Sequence, residues 1–522
     1  MRRSLALLLV GVGLLLWTQP VQAATPPKIL LAYDSQNVSA DSEYQIDSLQ
    51  RLLTSLNLEV HTIAIDQYHA GDLTRYKFQG VITMINWPQT DFKSQTFFKD
   101  RQQFTGVKLH IGPKLAADEQ ADLGLSVKSV YHQQFNLVSD KLQQLLPFSS
   151  SLQVVTQAGG QVFGTLKAQT PHNKPQYPYG VINGRVGFLP YYRRSGLSFL
   201  VASQMISQLF TGKVQAMPPL LTITDVTPVS DLKKLDQLSE FLYQQGIPFA
   251  VSATSVQFNT QLAAFHRYML VLQHIENRNG IVFLQTPRVY DTSKKTGQQL
   301  GRVMYRQLYD LTKNQVFPVG VSTANYWNQD SVYKTQALGF SDHVLLLPNP
   351  TDQAQVYAQQ SNISGVYKQA YYALNEHSLA TVKSGTDLTQ EYELKFSAPT
   401  AITVALPSTK KGLVGVEKRL KRVRWSWYNP ATANLQTKLT LGKQVIAYQS
   451  GSYFLNGQHV LVPTLDVQQP KKQQKKSYTA VLNGFFNFQS YVLIIFISGA
   501  LVILVVFFFI GRRVYRNMFR RK

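Results

Sequence analysis

Cysteine is absent from all 522 residues, which excludes disulfide staples and thiolate-held metal. Acidic side chains are scarce: 29 Asp and Glu face 52 Lys and Arg, a formal net charge of +23 that selects anionic partners. No glycine-rich phosphate loop follows the first apolar strand, and no Ser-His-Asp order or heptad array stands out. Histidines are few and badly placed for a metal. His266 and His274 lie too far apart on a predicted helix for shared coordination, His274-Ile275-Glu276 is a short pattern of high chance rate, and His343 precedes a strand instead of following it. No metal site and no cofactor are expected.

What is present begins with two long apolar runs. Met1-Arg2-Arg3 leads into Leu5 to Trp17, and Val21-Gln22-Ala23 ends the run, so 1–23 is predicted as a secretory leader cleaved before Ala24. Tyr491 to Ile510 is uncharged over about 20 residues, enough to span a bilayer as a helix. Arg512, Arg513, Arg516, Arg520, Arg521 and Lys522 follow, and such density places the 511–522 tail in the cytoplasm. Lys471, Lys472, Lys475 and Lys476, in a linker over 470–490, argue weakly the other way. The expected product is a single-pass protein of the cell membrane with most of its chain outside. Export without cysteine suits a Gram-positive source, and it removes nucleic acid as a partner.

The length exceeds what one core organises, so several domains are expected. Over 24–125, Ile29–Asp34, Leu58–Ile63, Gly80–Ile85 and Val107–Ile111 alternate with helical patterns, which predicts a doubly wound, flavodoxin-like parallel sheet. Asp34-Ser35 and Asn86-Trp87 would line its crevice, with scaffolding the preferred role. Shorter strands over 126–214, including a hairpin at Asn183-Gly184, suggest a mixed α+β docking section that ends in a helix from Leu197 to Phe210. From 384 to 469 the period changes to two. Tyr392–Phe396, Ala401–Leu406, Val423–Trp427, Gln444–Tyr448 and His459–Val462 predict a C-terminal β-sandwich.

The segment 215–383 is organised around Pro219-Leu220-Leu221-Thr222-Ile223-Thr224-Asp225-Val226-Thr227-Pro228, a buried strand ending in a carboxylate. Ser230 is the expected N-cap of the next helix, Leu232, Leu235, Leu238 and Leu242 its apolar stripe, Gly246 its stop, and Ile247–Val251 the next strand. In α/β barrels such strand ends carry the chemistry.

These residues, Ile223 to Pro228 and then Gly246-Ile247-Pro248-Phe249, resemble the opening of the polysaccharide deacetylase-like barrels, nearest the membrane-anchored branch found beside exopolysaccharide synthesis genes in Gram-positive bacteria. The resemblance implies a distorted (β/α) barrel, with two adjacent aspartates acting as base and metal ligand. Thr224-Asp225 keeps only the metal-side carboxylate. The resemblance also implies two histidines at a later strand end, but Ile281–Leu284 runs into Gln285-Thr286-Pro287-Arg288-Val289. The expected last strand, Val344–Leu347, meets Pro348 where a catalytic histidine would follow. A metal hydrolase needs both an ion and a base, and one aspartate cannot supply both.

Asp225 is therefore a vestigial ligand, an acceptor for sugar hydroxyls, or a cap for the following helix. Trp327 either faces the groove or packs its rim. Trp425 and Trp427 alternate with Arg424 and Ser426, which favours a sandwich core over sugar stacking and leaves the basic face, with Lys418, Arg419 and Lys421 nearby, to an anionic polymer. Asp225, Glu276, Asp291 and Asp342 could pair for glycoside cleavage, though no spacing selects among them.

The resulting expectation is a multidomain α/β accessory protein of cell-surface polysaccharide production. It binds an anionic surface or wall polysaccharide, without cleaving it, through Asp225, Gln285, Arg288 and Trp327, beside a synthase complex. The alternatives are an active deacetylase or glycoside hydrolase with relocated residues, and a purely structural subunit of that complex.

Overall fold

Short apolar runs become parallel strands in two successive sheets. The computed structural model describes residues 25–34, 42–89, 92, 95–169, 175–287, 294–350, 362–379, 387–390, 394–463 and 478–519. The predicted leader, Ser35, Arg288, Asp291, the linker over 470–477 and the tail residues 520–522 lie outside the described residues.

Strands β1 (Lys28–Tyr33), β2 (Glu59–Ala64), β3 (Gly80–Met84) and β4 (Val107–Ile111) are parallel neighbours in the order β2-β1-β3-β4. The next stretch supplies β5 (Ser126–Gln133), β6 (Phe135–Ser139), β7 (Leu142–Leu145), β8 (Ser149–Gln157), β9 (Gln161–Ala168), β10 (Gln176–Asn183) and β11 (Val186–Leu189). The hairpin expected at Asn183-Gly184 joins β10 to β11, with Gly184 at φ +58°, and β11 then lies parallel to β4. The sheet thus runs on without a break to nine strands, β2-β1-β3-β4-β11-β10-β9-β6-β7, while β5 and β8 form a separate ribbon. Helices α1 (Ser42–Ser55), α2 (Thr96–Gln103), α3 (Ala117–Leu123) and α4 (Gly196–Thr211) cover it on both faces.

The second sheet is a closed barrel of seven parallel strands: β12 (Leu220–Val226), β13 (Phe249–Thr254), β14 (Gly280–Gln285), β15 (Gly320–Ala324), β16 (His343–Leu347), β17 (Gln369–Asn375) and β18 (Thr400–Ala405). Helix α5 (Leu232–Gln244) follows β12, α6 (Ala263–Asn277) follows β13 and α7 (Lys294–Lys313) follows β14, each laying its apolar stripe on the barrel wall. Short helices α8 (Asn325–Gln329) and α9 (Ser331–Gln336) follow β15.

Three expectations are corrected here. Val344–Leu347 belongs to the fifth barrel strand and not the last, because two more follow. Ala401–Leu406, expected in a sandwich, contributes the strand that closes the barrel: β18 pairs with β17 on one side and β12 on the other. A fully buried strand of small and β-branched residues has no local sign of which sheet it joins. Val423–Trp427 is not a strand, and before it lies helix α10 (Lys410–Arg422), whose Leu413, Val416 and Leu420 form a buried helical stripe and whose Thr409 Oγ1 accepts from Gly412 N at 3.0 Å. What remains of the expected sandwich is a four-stranded antiparallel sheet, β19 (Gln436–Leu441), β20 (Gln444–Gln449), β21 (Ser452–Leu455) and β22 (Gln458–Val460). It closes the N-terminal end of the barrel. Lys438 N donates to Asp342 Oδ1 at 2.8 Å ahead of β16, and Tyr453 packs its ring 5.7 Å from Phe317 ahead of β15.

Among the described residues no long helix follows β16 or β17, and helix α1 of the first sheet fills part of that gap. Tyr372, Leu374 and Ile402, on the outer face of β17 and β18, share one apolar core with Leu49, Leu52 and Leu53 of α1. Burying each such side chain is worth about 1.5–3 kcal/mol, so the sheet and the barrel stabilise each other. Residues up to Pro463 form one compact unit. The unit beyond contains helix α11 (Tyr478–Phe519), within which Tyr491–Arg513 has a mean hydropathy of 3.2 and is long and apolar enough to cross a membrane.

Candidate functional site at the barrel mouth

The C-terminal ends of the barrel strands converge opposite the end closed by β19–β22. Strand register puts Thr222, Ser252, Gln285, Ser322 and Thr403 on the inward face, an unusually hydroxyl-rich lining. Ser252 and Ser322 share a hydrogen bond of 2.7 Å across the intervening β14, and Gln285 Oε1 accepts from Ser252 Oγ at 3.2 Å and Thr254 Oγ1 at 3.4 Å. Gln285 is half-buried at this end and holds its amide in place through that pair.

Asp225 stands on the first strand's end in a left-handed conformation, φ +59°, where the pairing of β12 with β13 slips between Ile223 and Val226. A bulge of this kind re-aims a side chain. Val226 returns to the core while Asp225 is exposed. The turn behind it is fastened by Ser230, whose Oγ donates to Asp225 O at 3.2 Å and accepts from Thr227 N at 2.9 Å. Ser230 is thus one residue short of its expected place: Asp231 is the N-cap of α5, accepting from Lys234 N at 3.2 Å. Since Asp231 caps the helix, the Asp225 carboxylate has no side-chain partner among the described residues.

Trp327 begins a different kind of contact. It is 1% exposed in α8 and stacks on Tyr333 of α9 with ring centroids 4.5 Å apart, so it packs the rim and offers no face to the groove. Of the four residues expected to bind sugar, Asp225 and Gln285 share the mouth, Trp327 supports it from within, and Arg288 lies outside the described residues.

Of the carboxylates considered for glycoside cleavage, the three among the described residues do not gather. Asp342 and Glu276 sit at the closed end, the first bonded to His343 Nδ1 at 2.6 Å and the second to Phe317 N at 2.8 Å, while Asp225 is at the mouth. Among the described residues no group of three His, Cys, Asp or Glu is placed to hold a metal ion.

One cluster escaped the sequence analysis. Asp47 and Arg51 form an ion pair at 3.0 Å in α1, and both are almost fully buried. Gln50 Oε1, beside them, accepts from Asn325 Nδ2 at 2.9 Å just past the end of β15, and Arg51 carries its guanidinium 4.4 Å over the Tyr372 ring. Burial raises the Asp47 carboxyl above its ordinary range against the pull of Arg51. The available signal was an acid and a base four apart beside the stripe of Ile46, Leu49 and Leu53; what they meet is more than 270 residues away.

No protein-family model matches the sequence, and no curated protein matches it. A solved structure of a ThuA-like protein from Parabacteroides merdae ATCC 43184 aligns with 37% of this chain and 93% of its own, at 13% identity and a TM-score of 0.22, too low to carry an assignment.

Proposed function

We propose that this chain is a membrane-anchored, extracytoplasmic accessory protein of cell-surface polysaccharide production in a Gram-positive bacterium, and that its barrel mouth binds glycan without cleaving it. The observation that carries the reading is Asp225. A bulge holds its carboxylate in the open at the end of the first barrel strand, and no side chain among the described residues competes for it. A carboxylate accepts two sugar hydroxyls at once, and the Gln285 amide and the Thr254 hydroxyl lie at the same end to add neutral hydrogen bonds.

The closed seven-stranded parallel barrel is compatible with the deacetylase-like family suggested by Ile223–Pro228. In that family the position of Thr224 would hold the base; a threonine takes no proton from a metal-bound water. The apolar span within α11 is the anchor, with the arginines that follow Ile510 on the cytoplasmic side. The order β2-β1-β3-β4 supports a flavodoxin-like ancestry for the first sheet, which here serves as a scaffold for the barrel.

The test is titration calorimetry of the full chain in detergent against surface polysaccharide fragments. Saturable binding of which Asp225→Ala removes one class of site supports the reading. Release of acetate from an acetylated fragment, lost in the same variant, replaces it with that of an active deacetylase. Co-purification with a synthase and no affinity for any fragment replaces it with that of a structural subunit.

A further inference from the structure

A pocket of about 140 Å³ lies away from the mouth, on the outer side of β18 beneath the C-terminal end of α10. Ile402, Leu379 and Leu420 form its floor, and Trp425 and Trp427, their rings 5.6 Å apart at 66°, form a wall. The Trp425 indole Nε1 is shut off from water and has no hydrogen-bond partner among the described residues. Water does not reach this nitrogen and neither would a ligand oxygen, so the pocket presents a ligand with the apolar surface of its rings, Trp427 being only half-buried.

The lip of the pocket adds charge. Arg419 is engaged, its Nε donating to Glu376 Oε1 at 3.1 Å, and Asp387 Oδ1 is taken up by Thr389 N at 3.0 Å. Arg422 is exposed on the lip and has no acidic partner among the described residues. Lys418, four residues before Arg422 on α10, adds a second exposed cation, whereas Lys421 lies over the Phe241 ring at 5.2 Å and Lys410 lines a separate groove with Asp231 and Glu240.

We infer that the Trp425–Trp427 pocket and the basic edge of α10 form a binding site for an acidic glycan. One sugar ring rests its C–H face on Trp427, and the carboxylates of that ring and its neighbours meet Arg422 and Lys418. A neutral ligand would leave the cations unused. The inference deepens the glycan-binding reading by naming an acidic polymer, and places a second contact on the barrel flank, separate from Asp225.

The test uses the full chain in detergent, a trigalacturonate probe and a neutral trisaccharide of the same linkage, read by tryptophan fluorescence and calorimetry. Trigalacturonate should bind with an affinity that falls as salt rises. Trp427→Ala and Arg422→Gln should each weaken it about tenfold, and Asp225→Ala should leave this site intact. Arg422→Gln alters only an exposed side chain, so it stays informative if Trp427→Ala folds poorly. No saturable binding by the wild-type chain overturns the inference. So does binding lost in Asp225→Ala but kept in the two pocket variants, which leaves the mouth reading standing alone. Equal affinity for the neutral trisaccharide, or fluorescence quenching by anionic phospholipid vesicles and not by the uronate, overturns it as well.

Discussion

Arg51, on the first helix of the N-terminal sheet, donates from Nη1 to the carbonyl of Ala373 in barrel strand β17 at 2.8 Å. The bond ties the helix of one sheet to a strand of the other through residues 322 apart in the chain. It is made by a guanidinium already paired with Asp47 and stacked over Tyr372, beside a hydroxyl chain in which Ser48 Oγ lies 2.7 Å from Tyr372 and 2.8 Å from Tyr192. The barrel is thereby held by a layer that is not its own.

Arg51→Met should destabilise the body by about 3–5 kcal/mol, because it leaves the Asp47 carboxylate buried without its partner. Asp47→Leu combined with Arg51→Met should recover part of that loss. Chemical denaturation of the three chains checks both, and sheet and barrel should unfold in one transition in the wild type.

Asp225→Ala should change stability by no more than about 0.5 kcal/mol, since an exposed carboxylate without a partner contributes little to folding. Asp225→Val at φ +59° should cost about 1–3 kcal/mol. Thermal melts of the two variants separate the strained backbone from the chemistry of the side chain.

Trp327→Ala should cost about 3–5 kcal/mol by leaving a cavity against Tyr333. Glycan affinity per folded molecule should stay the same, because the ring is sealed from the mouth. Denaturation together with calorimetry distinguishes this from a tryptophan that stacks on sugar.

Glu276 makes stability depend on pH. It is buried, its Oε2 has no partner among the described residues, and burial raises its carboxyl well above 4.5. Above that ordinary value the unfolded chain has lost the proton and the folded chain keeps it, so stability falls as pH rises from there towards the folded value. Glu276→Gln keeps an acceptor for Phe317 N and removes this slope. The two chains should be close in stability at about pH 4, and the variant should be the more stable at about pH 7, as urea titrations would read.

Much of the architecture was legible where periodicity is local. The stripe Leu235, Leu238 and Leu242 marked α5, Asn183-Gly184 marked its hairpin, and the apolar runs at 220, 247, 281 and 344 marked barrel strands. The helix α10 was not, because Gly412 and Gly415 interrupt its pattern and the alternation of Val423, Trp425 and Trp427 with Arg424 and Ser426 just beyond it reads as a strand. At the site, Asp225 was legible as a carboxylate at a strand end. That it sits on a bulge was not, since a register slip exists only once β12 and β13 are paired.

The sequence by itself determined the charge, the lack of thiols, the apolar span within α11 and the run of strands and helices, all of which depend on composition and near neighbours. Tertiary structure alone decided that Thr400–Ala405 closes the barrel, that Trp327 turns inward, and that Trp425 and Trp427 meet Arg422 at one pocket. Those outcomes depend on which buried faces meet across hundreds of residues, and a linear pattern records only that a face is apolar, never which partner covers it.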